Sequence, residues 1–200
     1  MGLMAMDIFE ADDNSTPLTT EEKSGLKLKW ITLRSELNEA EARNIAQAQL
    51  WIASNKKREI YSDSFVRLLH KKMFGDVWMW AGEYRMTERN IGVAPYQIPI
   101  KLMHLFDDLK FWIDNKTYSN FEIAVRLHHK LVQIHPFPNG NGRLSRLMAD
   151  LVLQKLEGKT LYWGDTNLAN VSDVRSKYID ALRKADTGDY TELLNFTMKK

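Results

Sequence analysis

A stretch of twelve residues, HPFPNGNGRLSR at 135–146, combines residue types that can bind phosphate and move a proton. Gly140 and Gly142 let the backbone turn tightly and come close to a ligand. The apolar residues that follow recur at helical spacing, so a helix is predicted to begin here with free backbone N–H groups that can bind an anion. Arg143 and Arg146 are three residues apart and therefore neighbours on that helix, which suits bidentate binding of phosphate oxygens. The stretch predicts a phosphate-binding loop at the start of a helix.

The same stretch contains candidates for each part of a group transfer from a nucleotide. Such a transfer needs held phosphates, neutralised charge and a nucleophile that is deprotonated in line with the leaving group. His135 can accept a proton near neutral pH, and Phe137 is expected to anchor the loop in the core. The simpler alternative is a glycine loop that caps an ordinary helix, with a core histidine and surface arginines. The candidate phosphate ligands are the backbone N–H groups of Gly140, Asn141 and Gly142 and the side chains of Arg143 and Arg146.

The sequence HPFPNGNGRLSR resembles the signature of the Fic (filamentation-induced-by-cAMP) family, which is usually HxFx(D/E)GNGRxxR. From about Thr16 to Phe196 the chain resembles most closely the bacterial Fic branch called mobile mystery protein B. The resemblance implies an all-α, Fic-fold helical bundle that transfers AMP from ATP to a Ser, Thr or Tyr hydroxyl of a target protein, with loss of pyrophosphate. The resemblance implies that His135 is the base and that the glycine loop and the two arginines bind the phosphates. It also implies ATP as substrate and Mg²⁺ as cofactor. The nearest alternatives are Fic enzymes that remove AMP or transfer another phosphate-containing group.

Asn139 departs from the signature, because the family usually has a carboxylate at this position. Mg²⁺ prefers oxygen ligands, and a carboxylate adds a charge that an amide lacks. We therefore expect weak metal binding by Asn139, with the nucleotide phosphates holding most of the Mg²⁺. One alternative is that Asn139 only holds the turn of the loop. Another is a nucleotide-binding regulatory module with impaired catalysis.

Thr32 and Glu36 resemble a second Fic element, an inhibitory helix with the pattern (S/T)xxxE(G/N), although a leucine replaces the usual Gly or Asn. In the family the glutamate pairs with the second arginine of the signature, here Arg146. An ion pair between Glu36 and Arg146 would remove that arginine from phosphate binding and place a negative charge near the γ-phosphate. The alternatives are that Glu36 is an exposed residue at a helix end, or that Ser35 and Glu39 set a competing register.

The segment 83–98 breaks the helical period with aromatic, glycine and proline residues. Short strands at 84–87 and 96–98, around an exposed tip, are predicted to form a small β-hairpin. This hairpin resembles the Fic flap, which implies that an extended segment of the target protein binds along 83–98 by strand addition. The alternative is a plain structural hairpin.

Hydrophobic spacing and capping residues predict helices through the rest of the chain. A strong helix is expected over the alanine-rich run 39–54, after a short apolar segment at 30–37. The other predicted helices run from Ser62 or Ser64 to Gly75, from Pro99 to about Ile113, from Ser119 to about His135, from the loop to about Glu157, from Ser172 or Asp173, and from Asp189. The histidines outside the loop are interpreted as core or surface residues rather than metal ligands: His70, His104, His128 and His129.

Length and composition predict one domain, because 200 residues with 44% apolar residues can build one sizeable core. Residues 1–17 are interpreted as a flexible leader and 18–200 as a single Fic domain that includes the inhibitory-type helix and the C-terminal helices. The formal net charge of +2 does not indicate nucleic-acid binding, which would show a concentrated basic face, so direct nucleic-acid binding is not expected. The lack of cysteine, signal peptide and membrane span favours a cytoplasmic location. The branch resemblance implies a genetic association with a helix-turn-helix regulator on mobile elements.

Overall fold

The computed structural model describes residues 19–55, 58–164 and 172–198, and these fold mainly as α-helices. The predicted leader, 1–17, lies outside the described residues. The helices are α1 (Thr20–Ser24), α2 (Arg34–Ala53), α3 (Asp63–Phe74), α4 (Ile98–Asp114), α5 (Asn120–Ile134), α6 (Asn141–Glu157), α7 (Ser172–Asp186) and α8 (Thr191–Thr197), with a 3-10 turn at Pro95–Gln97 before α4. None of the helices in these ranges is long and apolar enough to cross a membrane.

Helices α5 and α6 form the centre of the fold, because each contributes side chains to both hydrophobic clusters of buried residues. The larger cluster joins them to α2, α3 and α4, whereas the smaller cluster joins them to α7 and α8. Each large apolar side chain buried in such clusters stabilises the fold by roughly 1.5–3 kcal/mol. The loop 135–140 connects α5 to α6. Packing on both sides of the helix pair therefore fixes the position of this loop.

The predicted ends of α5 and α6 are confirmed. The hydroxyl of Ser119 caps α5, and the helix ends at His135, which is left-handed with φ 53° and ψ 60°. Pro136 explains this end, since proline disfavours helical backbone in the residue before it. Helix α6 ends at Glu157, and Gly158 follows in the left-handed conformation that favours glycine.

The N-terminal part of the prediction needs correction, because the segment 30–37 and the run 39–54 are not separate elements. Helix α2 is continuous from Arg34 to Ala53. Its buried residues recur at helical spacing and include two polar side chains: Leu37, Ala40, Glu41, Asn44 and Ala48. The buried face of this longer helix therefore brings a carboxylate and an amide into the interior.

The predicted β-hairpin at 83–98 is wrong, since none of the described residues there forms a strand. The backbone of this segment bonds to the α5–α6 connection instead of pairing with itself. The N–H of Arg85 donates to the carbonyl of Pro136 at 2.9 Å, and the N–H of Val93 donates to the carbonyl of Ile134 at 3.3 Å. The segment is an irregular loop that is held against the end of α5.

The side chain of Arg85 is the physical reason for this arrangement. It is 1% exposed, and its guanidinium donates to backbone carbonyls within the loop and at the end of α5. The acceptors are Thr87 at 2.9 Å, Val93, His135 at 2.7 Å and Ile134 at 3.5 Å. Because one buried cation satisfies these carbonyls, they need no partner strand.

Candidate active site

An open cleft of about 1610 Å³ lies at the start of α6. Its walls come from α2, the segment 90–93, α4, the end of α5, α6 and α7. The predicted site residues that line it are His135, Asn139, Gly140, Asn141, Gly142, Arg143 and Arg146. Phe137 and Glu36 are the two predicted site residues that are not among the lining residues. The cleft thus brings the predicted base together with the predicted phosphate ligands.

His135 is nearly buried at the mouth of the loop, with 9% of its surface exposed. Its carbonyl accepts a hydrogen bond from Nε of Arg85, which holds the backbone in the left-handed conformation. The pKa of His135 is lowered to about 4, mainly by burial and also by the positive charges of Arg85 and Arg89, against an opposing effect of the Val132 backbone. The imidazole is therefore neutral at pH 7 and able to accept a proton.

Phe137 and Asn141 stabilise the loop through buried contacts. Phe137 is fully buried, which agrees with its predicted role as an anchor. The side chain of Asn141 binds the backbone of Phe137 twice: Oδ1 accepts from its N–H at 2.9 Å, and Nδ2 donates to its carbonyl at 2.7 Å. The amide side chain of Asn141 is thus a structural clamp, and only its backbone N–H is left for an anion.

His70, on α3, contacts the same loop and holds its backbone. Its Nδ1 accepts from the N–H of Gly82 at 2.9 Å, so Nε2 carries the proton and donates to the carbonyl of Asn139 at 3.0 Å. Its ring stacks on Phe137 with a centroid distance of 3.8 Å. Burial lowers the pKa of His70 to about 3, which keeps the ring neutral. The sequence interpretation of a core histidine is compatible with this position but did not connect it to the loop.

Gly140 fills a different role from the one predicted. Its φ of +80° is left-handed, and a Cβ atom there would lie 2.6 Å from the ring of Phe74, so the glycine allows close packing inside the domain. Its N–H donates to Oδ1 of Asn139 at 2.6 Å and is not directed to the cleft. Gly140 therefore does not belong to the predicted anion hole. The N–H groups of Asn141, Gly142 and Arg143 open α6 and have no intrahelical acceptors, so they remain available.

The residues around Asn139 do not form a preformed metal site. Its amide oxygen accepts the N–H of Gly140, as expected if the residue holds the turn. Across 19–55, 58–164 and 172–198, no group of three or more His, Cys, Asp or Glu side chains could hold a metal ion. At this position of the loop, Asn139 offers Mg²⁺ a neutral amide oxygen, so nucleotide phosphates and water would supply most of the other ligands.

Arg143 projects toward α2 and pairs with a carboxylate that the sequence interpretation missed. Its Nη1 lies 2.7 Å from Oε2 of Glu41, while Oε1 of the same carboxylate accepts from Nε1 of Trp78 at 2.7 Å. Glu41 is 3% exposed. Glu41 follows Ala40 on the buried face of α2. A carboxylate on such a face is rarely buried without a partner, so this position was the sequence signal for an ion pair.

Arg146 lies on the next turn of α6 and contacts α7. Burial lowers the pKa of this arginine, while the nearby Tyr178 and Asp150 act in the opposite direction. The guanidinium remains a cation at any accessible pH, since arginine is not deprotonated in proteins. The two arginines of the signature therefore have different neighbours: Arg143 pairs with Glu41 of α2, and Arg146 lies beside Tyr178 of α7.

The predicted ion pair between Glu36 and Arg146 is wrong. Glu36 lies in the first turn of α2 and does not line the cleft. Its Oε2 accepts the N–H groups of Thr32 at 2.8 Å and of Leu33 at 3.0 Å, and these bonds lower the pKa of its carboxyl. The carboxylate caps the start of its own helix, because α2 begins at Arg34 and leaves those N–H groups without backbone acceptors.

A buried neutral histidine, a helix N-terminus and two arginines define a class of domain that can hold an anion beside a base. Residues 61–153 match the model of the family described as Fic/DOC family. The match covers α3 to α6 with the loop between α5 and α6, so it includes His135 and both arginines.

Curated relatives carry the name protein adenylyltransferase. The chain is 30% identical over 132 residues to protein adenylyltransferase Fic of Aedes aegypti, and the match covers 64% of this chain and 25% of that protein. It is 28% identical over 165 residues to protein adenylyltransferase Fic of Drosophila virilis, which covers 80% of this chain and 32% of that protein. The chain thus spans about a quarter to a third of the length of these relatives.

Solved structures share the fold. Fic-1 (residues 134–508) from Caenorhabditis elegans has a TM-score of 0.64 and 22% identity, and the likeness covers 88% of this chain and 51% of that chain. An N-terminal Fic domain from Bartonella quintana with bound ADP has a TM-score of 0.65 and 17% identity, covering 88% and 93%. The helical bundle described above is therefore a Fic fold.

Proposed function

We propose that this chain is a protein adenylyltransferase, which transfers AMP from ATP to a Ser, Thr or Tyr hydroxyl of a target protein. The observation that carries the proposal is the position of His135, whose neutral imidazole lies in one cleft with the N-terminus of α6 and with Arg143 and Arg146. Relatives named protein adenylyltransferase, and a solved Fic domain of the same fold with bound ADP, support the proposal.

In this reaction the hydroxyl oxygen of the target forms a bond to the α-phosphorus of ATP. The bond from that phosphorus to the bridging oxygen breaks, and pyrophosphate leaves with the electron pair. The hydroxyl proton goes to the imidazole of His135. The first N–H groups of α6 and the two arginines stabilise the negative charge on the phosphates in the transition state.

Mg²⁺ belongs to the proposal as an ion that the triphosphate brings with it. It would neutralise phosphate charge, and Asn139 would be its one ligand from the loop. The target protein would lie along 83–98, where Ile91, Gly92 and Val93 line the cleft near His135. The resemblance of the chain from about Thr16 to Phe196 supports an assignment to the bacterial branch mobile mystery protein B, and the lack of cysteine supports a cytoplasmic site of action. Inhibition by Glu36 is not part of the proposal.

Incubation with ATP labelled at the α- or the γ-phosphate tests the function. Transfer of the α-label to protein, lost in His135→Ala while that variant still binds ATP, is the expected result. Transfer of the γ-label would indicate kinase-like chemistry and contradict the proposal. Loss of AMP from a target that already carries it would indicate the reverse reaction as the main activity.

A nucleotide-binding regulatory module is a second candidate, favoured by the uncharged Asn139 and its bond to Gly140. Tight ATP binding without any label transfer, in the presence of Mg²⁺ and a lysate as a source of targets, would support it against the enzyme. His135→Ala and the unchanged protein would then behave alike.

A further inference from the structure

Arg85 is neither part of the stretch 135–146 nor among the residues that line the cleft, yet it binds the backbone around the base. Its guanidinium donates from Nε to the carbonyl of His135 at 2.7 Å and from Nη2 to the carbonyl of Ile134 at 3.5 Å. Its backbone N–H donates to the carbonyl of Pro136 at 2.9 Å. One residue therefore binds three consecutive carbonyls, and the middle one belongs to His135.

The backbone of His135 depends on such a partner. Its φ of 53° and ψ of 60° are left-handed, and His135 and Lys116 are the non-glycine residues with positive φ in the ranges 19–55, 58–164 and 172–198. Residues other than glycine rarely adopt this conformation, and it persists where the surrounding structure holds it. The conformation also sets the direction of the Cα–Cβ bond, because a helical residue would project its side chain from a face of α5 instead. The contacts of Arg85 thus fix where the imidazole points.

Gly92 closes the same arrangement from the other side. A Cβ atom at this position would lie 2.7 Å from Nη2 of Arg85 and 2.7 Å from Cβ of His135. The backbone of Gly92 therefore packs directly against both side chains. The carbonyl of the next residue, Val93, accepts a further hydrogen bond from Nη2 of Arg85. The guanidinium is thus held between the segment 92–93 and the end of α5.

The segment that carries Arg85 is itself fixed to α1. Glu22 of α1 forms an ion pair with Arg89, and the side chains of these two residues are 11% and 5% exposed. The other oxygen of this carboxylate accepts from the hydroxyl of Thr87 at 3.5 Å, and the carbonyl of Thr87 accepts from Nη1 of Arg85 at 2.9 Å. Arg85 therefore joins the end of α5 to a segment that α1 anchors.

We propose that Arg85 is a positioning residue for His135, which it holds in the orientation that takes the proton from the hydroxyl of the target. The inference rests on the proposed function, because the role of His135 as a base belongs to that proposal. A base that lies out of line with the hydroxyl loses much of its effect, since proton transfer requires hydrogen-bond geometry. Arg85 does not line the cleft, so it acts on the rate of transfer and not on the binding of ATP.

The variant Arg85→Lys tests orientation apart from charge. Lysine keeps the positive charge but replaces the planar fork of donors by one ammonium group, which cannot donate in the same directions. After burial, the charge of Arg85 is the main cause of the lowered pKa of His135, and the variant keeps this charge. Arg67→Lys is the matched control, since Nε of Arg67 donates to the carbonyl of Gly82 at 3.0 Å and Arg67 does not line the cleft.

Transfer of the α-label from saturating ATP gives the maximum rate for each folded variant, and calorimetric titration gives its ATP affinity. We expect Arg85→Lys to lower the rate roughly ten- to hundredfold, the scale of a small displacement of a reacting group. The ATP affinity should be unchanged, and Arg67→Lys should change neither quantity. An unchanged rate in folded Arg85→Lys would overturn the proposal. Equal losses of rate and ATP affinity would overturn it too, since they would indicate general loosening of the cleft.

If Arg85→Lys did not fold, Gly92→Ala would replace it, because the added methyl group would press on the same guanidinium and on His135. The same loss of rate with unchanged ATP affinity is expected, and an unchanged rate would be the contrary result. Absence of transfer by the unchanged protein would count only against the proposed function. Crystal structures of the variant and the unchanged protein would then decide. A changed backbone or ring direction at His135 would support the positioning role, and an unmoved His135 would contradict it.

Discussion

The guanidinium of Arg143 lies 2.7 Å from the buried carboxylate of Glu41, across 102 residues of sequence. The same carboxylate accepts a hydrogen bond from Trp78, so it is fixed on both of its oxygens. Arg143, one of the two arginines of the signature, is therefore neutralised by a residue of α2. This pair affects both the stability of the fold and the affinity of the cleft for anions, and the two effects have opposite signs.

The variant Glu41→Gln should lower stability and raise ATP affinity. The lost ion pair costs about 1–2 kcal/mol, less than a fully buried pair because the Arg143 side chain is 34% exposed. Removal of the negative charge leaves Arg143 with its full attraction for phosphate, so ATP should bind several-fold more tightly. Urea unfolding and calorimetric titration measure the two effects. Glu39→Gln is the control, because Glu39 pairs with Arg43 on the exposed face of α2 and should change neither quantity. Weaker ATP binding in Glu41→Gln would show that the pair orients Arg143 rather than competing with phosphate.

The variant His70→Phe should destabilise the domain and weaken nucleotide binding. Phenylalanine keeps a ring against Phe137 but leaves the N–H of Gly82 and the carbonyl of Asn139 without their partner. Two unsatisfied buried groups cost roughly 2–4 kcal/mol. Chemical denaturation measures this loss, and ATP titration reports the displacement of the loop. His104→Phe is a stability control on the exposed side of α4, expected to stay within about 0.5 kcal/mol. A fully stable His70→Phe would contradict the supporting role.

The two glycines of the loop should respond differently to alanine. Gly140→Ala places a methyl group 2.6 Å from Phe74 in a left-handed backbone, at a cost of about 2–4 kcal/mol. Gly142→Ala meets its nearest neighbour, Nη1 of Arg146, at 3.8 Å and should retain the stability of the unchanged protein. Its methyl group lies in the cleft, so it should weaken ATP binding. Thermal unfolding and ATP titration of both variants check this contrast, which would be refuted by equal stability losses.

The variant Asn139→Asp should lower the Mg²⁺ concentration needed for half-maximal AMP transfer. An aspartate supplies the charged oxygen that the amide lacks, and it can still accept the N–H of Gly140. Initial rates over a Mg²⁺ titration at fixed ATP measure the effect. Asp108→Asn, a change of charge elsewhere in the cleft lining, serves as a comparison for general electrostatic effects. A higher Mg²⁺ requirement in Asn139→Asp would show that the asparagine is not the weak point of the site.

The stability of the domain should fall as the pH is lowered from 7.5 to 5. Burial is the main cause of the lowered pKa of four histidines. The pKa is about 3 for His70 and His128 and about 4 for His135, and that of His129 is also lowered. The unfolded chain takes up protons near pH 6.5, whereas these rings in the folded chain do not, so lower pH favours unfolding. Each fully shifted histidine contributes about 1.4 kcal/mol per pH unit below 6.5. Urea unfolding across this range measures the slope, and His128→Gln should make it shallower. Parallel curves for the two proteins would contradict the assignment.

The glycine loop and its helix were predictable because their signals are local. A proline after His135, a glycine before α6 and the apolar repeat fix where α5 ends and α6 begins, and the short distance along the chain brings the base and the arginines together. Glu41 and His70 lie far from the loop in sequence, so only tertiary packing shows that they contact the loop and the start of α6. The hairpin prediction failed for a related reason, since turn residues and aromatic residues describe a loop without revealing that Arg85 binds its carbonyls.

The separate partners of the two arginines have a consequence for motion. Arg143 is paired with Glu41 of α2, which belongs to the larger cluster, and Arg146 lies beside α7, which belongs to the smaller one. A triphosphate that contacts both would link two parts of the fold that otherwise meet only through the central helices. Opening of either α2 or α7 would then require loss of the ligand, so amide protons in both helices would exchange with solvent more slowly when the cleft is filled.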